Sequence, residues 1–280
     1  MPRIGILGLG YLGSLLARDY AFKVNSWGTW HKNPPKDINI PVFPFDWGKK
    51  KSWPTLPKTE VILLITIPPI LKSTQNEAKR LRLWCDWMQK NRPEIKRLIY
   101  ISTTGVYPKR NGLWLENSEF ESDTNSGKLR LLTEKILSEY FDLNVVRPGG
   151  IYGPGRGINI RLKHGKPIPV SSTPVHRIHV KDLARIIVYL AKNPKSVSCV
   201  NAVDFEAKPS HEVAQWLIEN RKGFTQKMLS ESSVLSSGKN NSPKRYISNQ
   251  CLIDLRINLI YPTFFTNVFL KHILEVIIKL

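Results

Sequence analysis

The chain is predicted to fold as an α/β protein built on a doubly wound parallel sheet, and three observations carry that prediction. Its first residues, Arg3-Ile-Gly-Ile-Leu7, run without a gap into Gly8-Leu-Gly10-Tyr-Leu-Gly13 and then Ser14-Leu-Leu-Ala-Arg-Asp-Tyr20, the order of a buried strand, a glycine turn and a helix. Residues 61–67 (Val-Ile-Leu-Leu-Ile-Thr-Ile) and 97–102 (Arg-Leu-Ile-Tyr-Ile-Ser) are near-continuous apolar runs, as central parallel strands covered on both faces require. Helical patterns alternate with these runs, and repeated alternation of strand and helix builds a parallel sheet with helices on both faces.

The first strand and turn specify a nucleotide site. Gly8 permits the tight turn, Gly10 lets backbone amides approach a pyrophosphate, and Gly13 lets the helix pack on its strand with its N-terminus facing the anion. The backbone of Gly8, Gly10, Tyr11, Leu12 and Gly13 is therefore the expected cradle. Residues 24–29 read as a second strand, followed by Trp30-His-Lys-Asn-Pro-Pro35, a loop without an acid. An Asp or Glu there would bond the ribose hydroxyls of NAD. His31 and Lys32 suit a 2′-phosphate instead, so NADP is preferred over NAD, the plainer alternative being two exposed loop residues.

Residues 34–59, rich in Pro, Trp and Lys, predict an irregular connection with at most a short strand at 41–45. The run 61–67 ends at Pro68-Pro69, and the carboxyl end of such a strand lies beside the ligand of an open α/β sheet, which makes both prolines candidate cofactor contacts. Residues 75–91 predict a helix with Leu81, Trp84, Trp87 and Met88 as a core stripe and Pro93 past its end. The strand 97–102 opens into Thr103-Thr-Gly-Val-Tyr107. A helix over 126–140, with Leu129, Leu132, Ile136 and Leu137 inward, precedes a strand at 144–147 stopped by Pro148-Gly-Gly150.

Residues 1–150 are thus the expected dinucleotide-binding core, and 151–280 a C-terminal part with a sheet-completing segment and a small substrate lobe. That part is turn-rich before helices at 181–193 and 210–221, the second capped by Ser210 and closed by Gly223. Residues 230–244 read as a Ser-, Asn- and Gly-rich loop. Residues 263–280, with Phe265, Val268, Phe269, Ile273, Val276 and Ile277, read as a docked or dimerising amphipathic helix, with attachment to a membrane surface as the alternative. A homodimer is the corresponding expectation.

At 280 residues and 41% hydrophobic, the chain buries a sizeable core. No signal-peptide pattern precedes the first strand and no apolar run reaches membrane-spanning length, so a cytoplasmic address is expected. Cys85, Cys199 and Cys251 are odd in number and far apart, which argues against a disulfide framework and a zinc site. The 6 histidines show no metal spacing, and no Gly-x-Ser-x-Gly elbow supports a hydrolase. The 42 Lys and Arg against 22 Asp and Glu give +20, spread along the chain as a basic solvated surface, so nucleic acid is disfavoured and a small anionic substrate expected. Arg156 and Arg177 read either as contacts for that anion or as surface charge. His179 reads as a polar contact to a neighbouring loop ahead of a catalytic role, and Asp182 as a helix cap or an anchor.

The glycine turn, Ser102-Thr-Thr-Gly-Val-Tyr107, Arg147-Pro148, Tyr152-Gly-Pro-Gly-Arg156 and Arg177-Ile-His-Val-Lys-Asp182 stand in the order seen in extended short-chain dehydrogenases, the NAD-dependent epimerase/dehydratase family, which the chain resembles over nearly its whole length. Pro68-Pro69, Arg177-Ile-His-Val180 and Tyr261-Pro-Thr263 are similar to the atypical YeeZ-type subgroup. The resemblance implies a Rossmann core and an oxidoreductase or epimerase-like activity on a small or nucleotide-linked polar substrate. It puts Thr103 where family members bond a substrate oxygen, Pro148 and Gly149 beside the cofactor, and Tyr107 in the pocket or as a substitute acid. Aligned through Glu134, it puts Ser126 at the family's catalytic Tyr position and Arg130 at its Lys position. A Ser hydroxyl does not ionise usefully near neutral pH and Arg keeps its proton, so this pair does not supply ordinary Tyr-based chemistry, while Arg130 can still bind ribose or phosphate. Thr104 and Gly105 replace the acidic pair of the sugar-nucleotide dehydratases, which argues against dehydration. The alternative reading is a cofactor-binding redox sensor or assembly partner without catalysis.

Overall fold

The computed structural model describes residues 3–19, 26–59, 61–166, 168–169, 172–193, 195–228, 233–234 and 243–265. Strand β1 (Ile4–Leu7) is wholly buried and passes through the glycine turn into α1 (Tyr11–Asp19), which starts a few residues earlier than the apolar pattern suggests. β2 (Trp27–Trp30), β3 (Val42–Pro44) and β4 (Ile62–Ile65) follow. Between β3 and β4 the proline- and tryptophan-rich stretch forms only a short 3-10 helix at Lys50–Thr55.

The helix α2 (Thr74–Asn91), capped where the Ser73 hydroxyl accepts from Asn76 N, buries Leu81, Trp84, Cys85 and Met88 as the spacing requires. Its Trp84 meets Trp47 edge-on at 5.4 Å. Burial pushes the Cys85 thiol up to about 12, which leaves this cysteine a packing residue. β5 (Arg97–Ile101) carries on through the short strand β6 (Gly112–Trp114) to α3 (Asn125–Tyr140) and β7 (Asp142–Pro148).

Further on come β8 (Gly150–Tyr152), α4 (Ile158–Lys163), β9 (Ile168–Pro169), β10 (Arg177–His179), α5 (Val180–Lys192) and β11 (Cys199–Ala202). The described elements end with α6 (Ser210–Asn220), β12 (Ser233–Val234), β13 (Arg245–Ile247) and α7 (Gln250–Asp254).

The central sheet has the order β11-β7-β5-β4-β1-β2-β3, and its pairs from β3 through β7 are parallel. The winding reverses between β1 and β4, so the crevice for a ligand lies at their carboxyl ends. Continuous burial of β1 and of most of β4 and β5 explains why their sequences are apolar without alternation.

Contacts divide the chain into two units that interleave in sequence. The first comprises 1–108, 119–147 and 184–200, and the second 109–118, 148–183 and 201–280. Most of α5 and the start of β11 fall in the first unit, with the sheet that β11 completes. The second unit holds the parallel pairs β8–β10, β9–β12 and β6–β13, with a core that includes Tyr152, Leu162, Val213, Leu217 and Phe264. The short helix α4 lies where the sequence shows only turns. The predicted cap of α6 also needs correction: Pro209 occupies the N-cap, and the Ser210 hydroxyl accepts from Arg177 Nη2 at 3.1 Å. The start of the predicted second strand, most of the 230–244 loop and the amphipathic pattern beyond Phe265 lie outside the described residues. No helix among the described residues is long and apolar enough to cross a membrane.

Candidate functional site

The turn between β1 and α1 is shaped by contacts that leave little choice of residue. Gly8 has φ 102°, a backbone region that side chains disfavour, and a Cβ there would lie 2.6 Å from Thr66 Oγ1. A Cβ on Gly13 would lie 2.2 Å from the Gly8 carbonyl oxygen. Around Gly10, by contrast, no atom of the described residues other than its chain neighbours comes within 4 Å of an added Cβ. The turn is pinned from both neighbouring strands: Gly8 N donates to Thr29 Oγ1 at 3.1 Å, and Thr66 Oγ1 donates to the Leu7 and Gly8 carbonyls at 3.0 and 2.7 Å. Ser14 N donates to Gly10 O at 2.8 Å, and Tyr11, Leu12 and Gly13 form the first turn of α1. A cradle with open space at Gly10 and amides at a helix N-terminus fits a pyrophosphate.

Past β2, His31 and Lys32 are exposed. The fold also brings in an acid that sequence distance hides. Asp46, just after β3, lies 3.3 Å from His31 Nε2 and 3.3 Å from Lys49 Nζ, and it also accepts from Gly48 N at 2.9 Å. Burial works against the charged form, yet Gly48, Lys49 and His31 together hold the Asp46 carboxyl below the ordinary range. Pro68 and Pro69 follow β4 at the same carboxyl edge of the sheet.

Thr103 stands at the end of β5 and accepts from Gly105 N at 3.0 Å, which leaves its O–H to donate. The first turn of α3 packs on the backbone of this loop: a Cβ on Gly127 would lie 2.9 Å from Gly105 O. That close approach sets exposed Ser126 beside the Thr103 turn. Arg130 does not extend along the helix surface. Its Nη1 donates to Ile101 O at 2.8 Å and to the Tyr100 hydroxyl at 3.1 Å, so its charge serves the carboxyl end of β5. Tyr100 is fully buried, and burial pushes its hydroxyl up to about 12 against the pull of Arg130, so it stays protonated at neutral pH.

Glu134, one turn further on, pairs with Arg147 at 2.7 Å and accepts from the Ser102 hydroxyl. Arg147 also donates to the Tyr107 hydroxyl at 2.9 Å. Tyr107 is 1% exposed, which removes it as a substitute acid that meets substrate and makes it a buried partner of Arg147. The sequence gives no sign of this network except the spacing of Glu134 from Arg130.

The remaining candidates lie in the second unit, and Pro148 and Gly149 fall there as well. Arg177 is 4% exposed and its guanidinium is committed to the Val175 and Lys208 carbonyls, at 2.8 and 2.7 Å, and to Ser210, so it is an internal brace and not surface charge. Asp182 anchors the late Tyr261-Pro-Thr263 segment by accepting from Ile260 N and Tyr261 N, each at 2.8 Å. This places the Tyr261 ring 3.7 Å from that of His179. His179 accepts from Lys181 N through Nδ1, and burial with Lys181 pushes it down to about 4, so it is neutral at pH 7. Arg156 and His179 line a cavity of about 550 Å³ together with Lys163, Lys181, Arg221 and Lys222, with aromatic walls at Trp216 and Phe224 and no carboxylate among the described lining residues.

Three buried groups of this unit give a pH dependence. His176, whose Nε2 accepts from Ile247 N at 2.8 Å, is pushed down by burial to about 4, like His179. Folded values below the ordinary 6.5 mean that their contribution is complete above about pH 6.5 and is lost as the pH falls to 4. Asp204, raised by burial from 3.8 to about 7, acts oppositely: its contribution is lost as the pH rises through that range. The Asp204→Asn variant is expected to be more stable than the parent above about pH 7 and to lose stability more steeply on acidification to pH 4, as read by thermal melts across the range.

No family model matches the chain. Over 103 residues, 36% of the chain, it is 31% identical to Protein YeeZ of Escherichia coli (strain K12), and the match spans 37% of that protein. A Methylobacillus flagellatus protein described as a candidate NAD-dependent epimerase/dehydratase superposes with TM-score 0.72 at 22% identity, covering 95% of each chain. UDP-glucuronic acid 4-epimerase from Bacillus cereus, in complex with NAD, gives TM-score 0.69 at 14% identity over 92% of this chain and 91% of that one. The chain therefore has the Rossmann-type fold of the NAD-dependent epimerase/dehydratase-like short-chain dehydrogenases, with a YeeZ-like stretch over about a third of its length.

Proposed function

We propose that the chain binds NAD(P)(H) through the Gly8–Gly13 turn and acts as an oxidoreductase or epimerase-like enzyme on a small anionic or nucleotide-linked polar substrate. The observation that carries this reading is the open space at Gly10, bounded by a Gly8 and a Gly13 that tolerate no side chain. The nicotinamide, when bound, supplies hydride transfer. The backbone of Gly8 to Gly13 receives the pyrophosphate, Pro68 and Pro69 wall the β4 side, Thr103 donates to a substrate oxygen, and Arg130 presents positive charge at the end of β5. Arg156, Lys163 and Lys181 give the second-unit cavity its attraction for anions.

NADP is the favoured form, since His31, Lys32 and Lys49 outnumber the single carboxylate of Asp46. NADPH at a hundredfold excess over its dissociation constant is expected to stabilise the protein by about 2.7 kcal/mol, and NADH at equal concentration by less. No shift in the melting midpoint with either nucleotide would remove the reading. A homodimer belongs to the same proposal, supported by the apolar periodicity of residues 263–280, and light scattering should give twice 32.1 kDa.

A second reading, cofactor binding without turnover, is favoured by Ser126 at the Tyr position and by the engagement of Arg130 with Ile101 O. It predicts nucleotide binding with no substrate-dependent NADPH oxidation across carbonyl compounds and sugar nucleotides.

A further inference from the structure

We propose that Glu77 is a positioning residue for the dinucleotide site, its buried carboxylate holding the loop after β4 in the shape that the cofactor meets. The inference rests on the cofactor reading above. Past Thr66 the loop reaches Pro68 and Pro69, neither of which carries a backbone N–H, so this stretch has little means of holding itself by main-chain bonds. Its next two amides both turn to one side chain: Ile70 N donates to Glu77 Oε1 at 3.2 Å and Leu71 N to Oε2 at 3.1 Å. Little of this stretch is packed away, since Ile70 and Leu71 are 42% and 37% exposed.

The carboxylate is itself fixed from below. Arg80 donates to both oxygens, through Nη2 at 2.6 Å and Nε at 3.0 Å, and the side chains of Glu77 and Arg80 are 0% and 9% exposed. Arg80 continues to the chain beyond β3, with Nη1 on Trp47 O at 3.2 Å and its guanidinium 4.6 Å over the Trp47 ring. One ion pair thus ties the loop after β4 to the segment that carries Asp46, the partner of His31. The start of α2 has its own cap in Ser73. Burial alone would raise the Glu77 carboxyl, and Arg80 with the Leu71 and Ile70 amides brings it below the ordinary value, so it is charged at neutral pH and accepts all four bonds. In a Gln at this position, the NH2 group would face a loop amide as donor against donor and leave Arg80 without its counter-ion.

The test compares NADPH and NADH affinity, by fluorescence titration, in the parent protein, Glu77→Gln and Met88→Ala. Met88 is fully buried in the same helix, and its truncation lowers stability without touching the loop. Glu77→Gln is expected to weaken both nucleotides by about tenfold and to speed hydrogen exchange at the Ile70 and Leu71 amides, while Met88→Ala melts earlier but keeps its affinity within about twofold. Unchanged affinity in folded Glu77→Gln, or an equal loss in Met88→Ala, overturns the positioning role. If the parent binds neither nucleotide, the cofactor reading fails with it; unchanged exchange at Ile70 and Leu71 shows separately that Glu77 does not hold the loop.

Discussion

Gly10→Ala is expected to abolish useful cofactor binding in a protein that is otherwise intact. A Cβ at this position meets no atom of the described residues beyond its chain neighbours within 4 Å, and the backbone does not lie in the left-handed region, so the variant should fold with stability within about 1 kcal/mol of the parent. The methyl group would instead occupy the space where backbone amides approach the pyrophosphate, and an affinity loss of about a hundredfold is expected from titration with NADPH and NADH. Gly8 and Gly13 cannot give so clean a result. Their added Cβ atoms collide with Thr66 and with the Gly8 carbonyl, so substitutions there disturb the fold and the site together. A Gly10→Ala protein that binds nucleotide as well as its parent would show that the open space is not the pyrophosphate position.

Glu134→Ala should produce a large loss of stability. Its carboxylate and the Arg147 guanidinium are each 9% exposed, 2.7 Å apart, and removal of one partner leaves the other charge buried. Breaking a buried pair in this way costs about 3–5 kcal/mol, measurable by urea denaturation. The double replacement Glu134→Gln with Arg147→Met removes both charges and should cost clearly less than the sum of its single changes. An additive double variant would mean that the two residues do not act as a pair. Because Ser102 and Tyr107 join the same network at the end of β5, the Glu134→Ala loss should include ordering of the Thr103 turn as well.

Much of the fold is legible in the sequence, for physical reasons. The apolar runs at 61–67 and 97–102 contain β4 and β5, and of the predicted stripe Leu81, Trp84 and Met88 are buried in α2 while Trp87 is only partly buried against the core, because periodicity records which faces a chain must cover. The signal weakened where the element is short or its role is tertiary. α4 has too few residues to show a period, and Ser210, which looks like a cap, spends its hydroxyl on Arg177.

The candidate site was legible only where backbone chemistry sets the residue type. Gly8 and Gly13 stand out in sequence because no side chain fits their surroundings, and the sheet edge then places His31, Pro68 and Thr103 after neighbouring strands. The partners of those residues were not legible. Asp46 reaches His31 from beyond the next strand, Glu77 holds Ile70 and Leu71 from a helix, and Arg130 turns to Ile101 O instead of pairing along its own helix with Glu134.

By itself the sequence determined a doubly wound sheet and the glycine turn of Gly8, Gly10 and Gly13 that joins its first strand to its first helix. The tertiary structure alone decided which charges meet: Glu134 with Arg147, Glu77 with Arg80, Asp46 with His31 and Lys49. The division follows from the range of the forces involved. Strand and helix periodicity and glycine turns are local properties of neighbouring residues, whereas the pairing of a buried charge depends on which distant side chain the packing brings within a few ångströms.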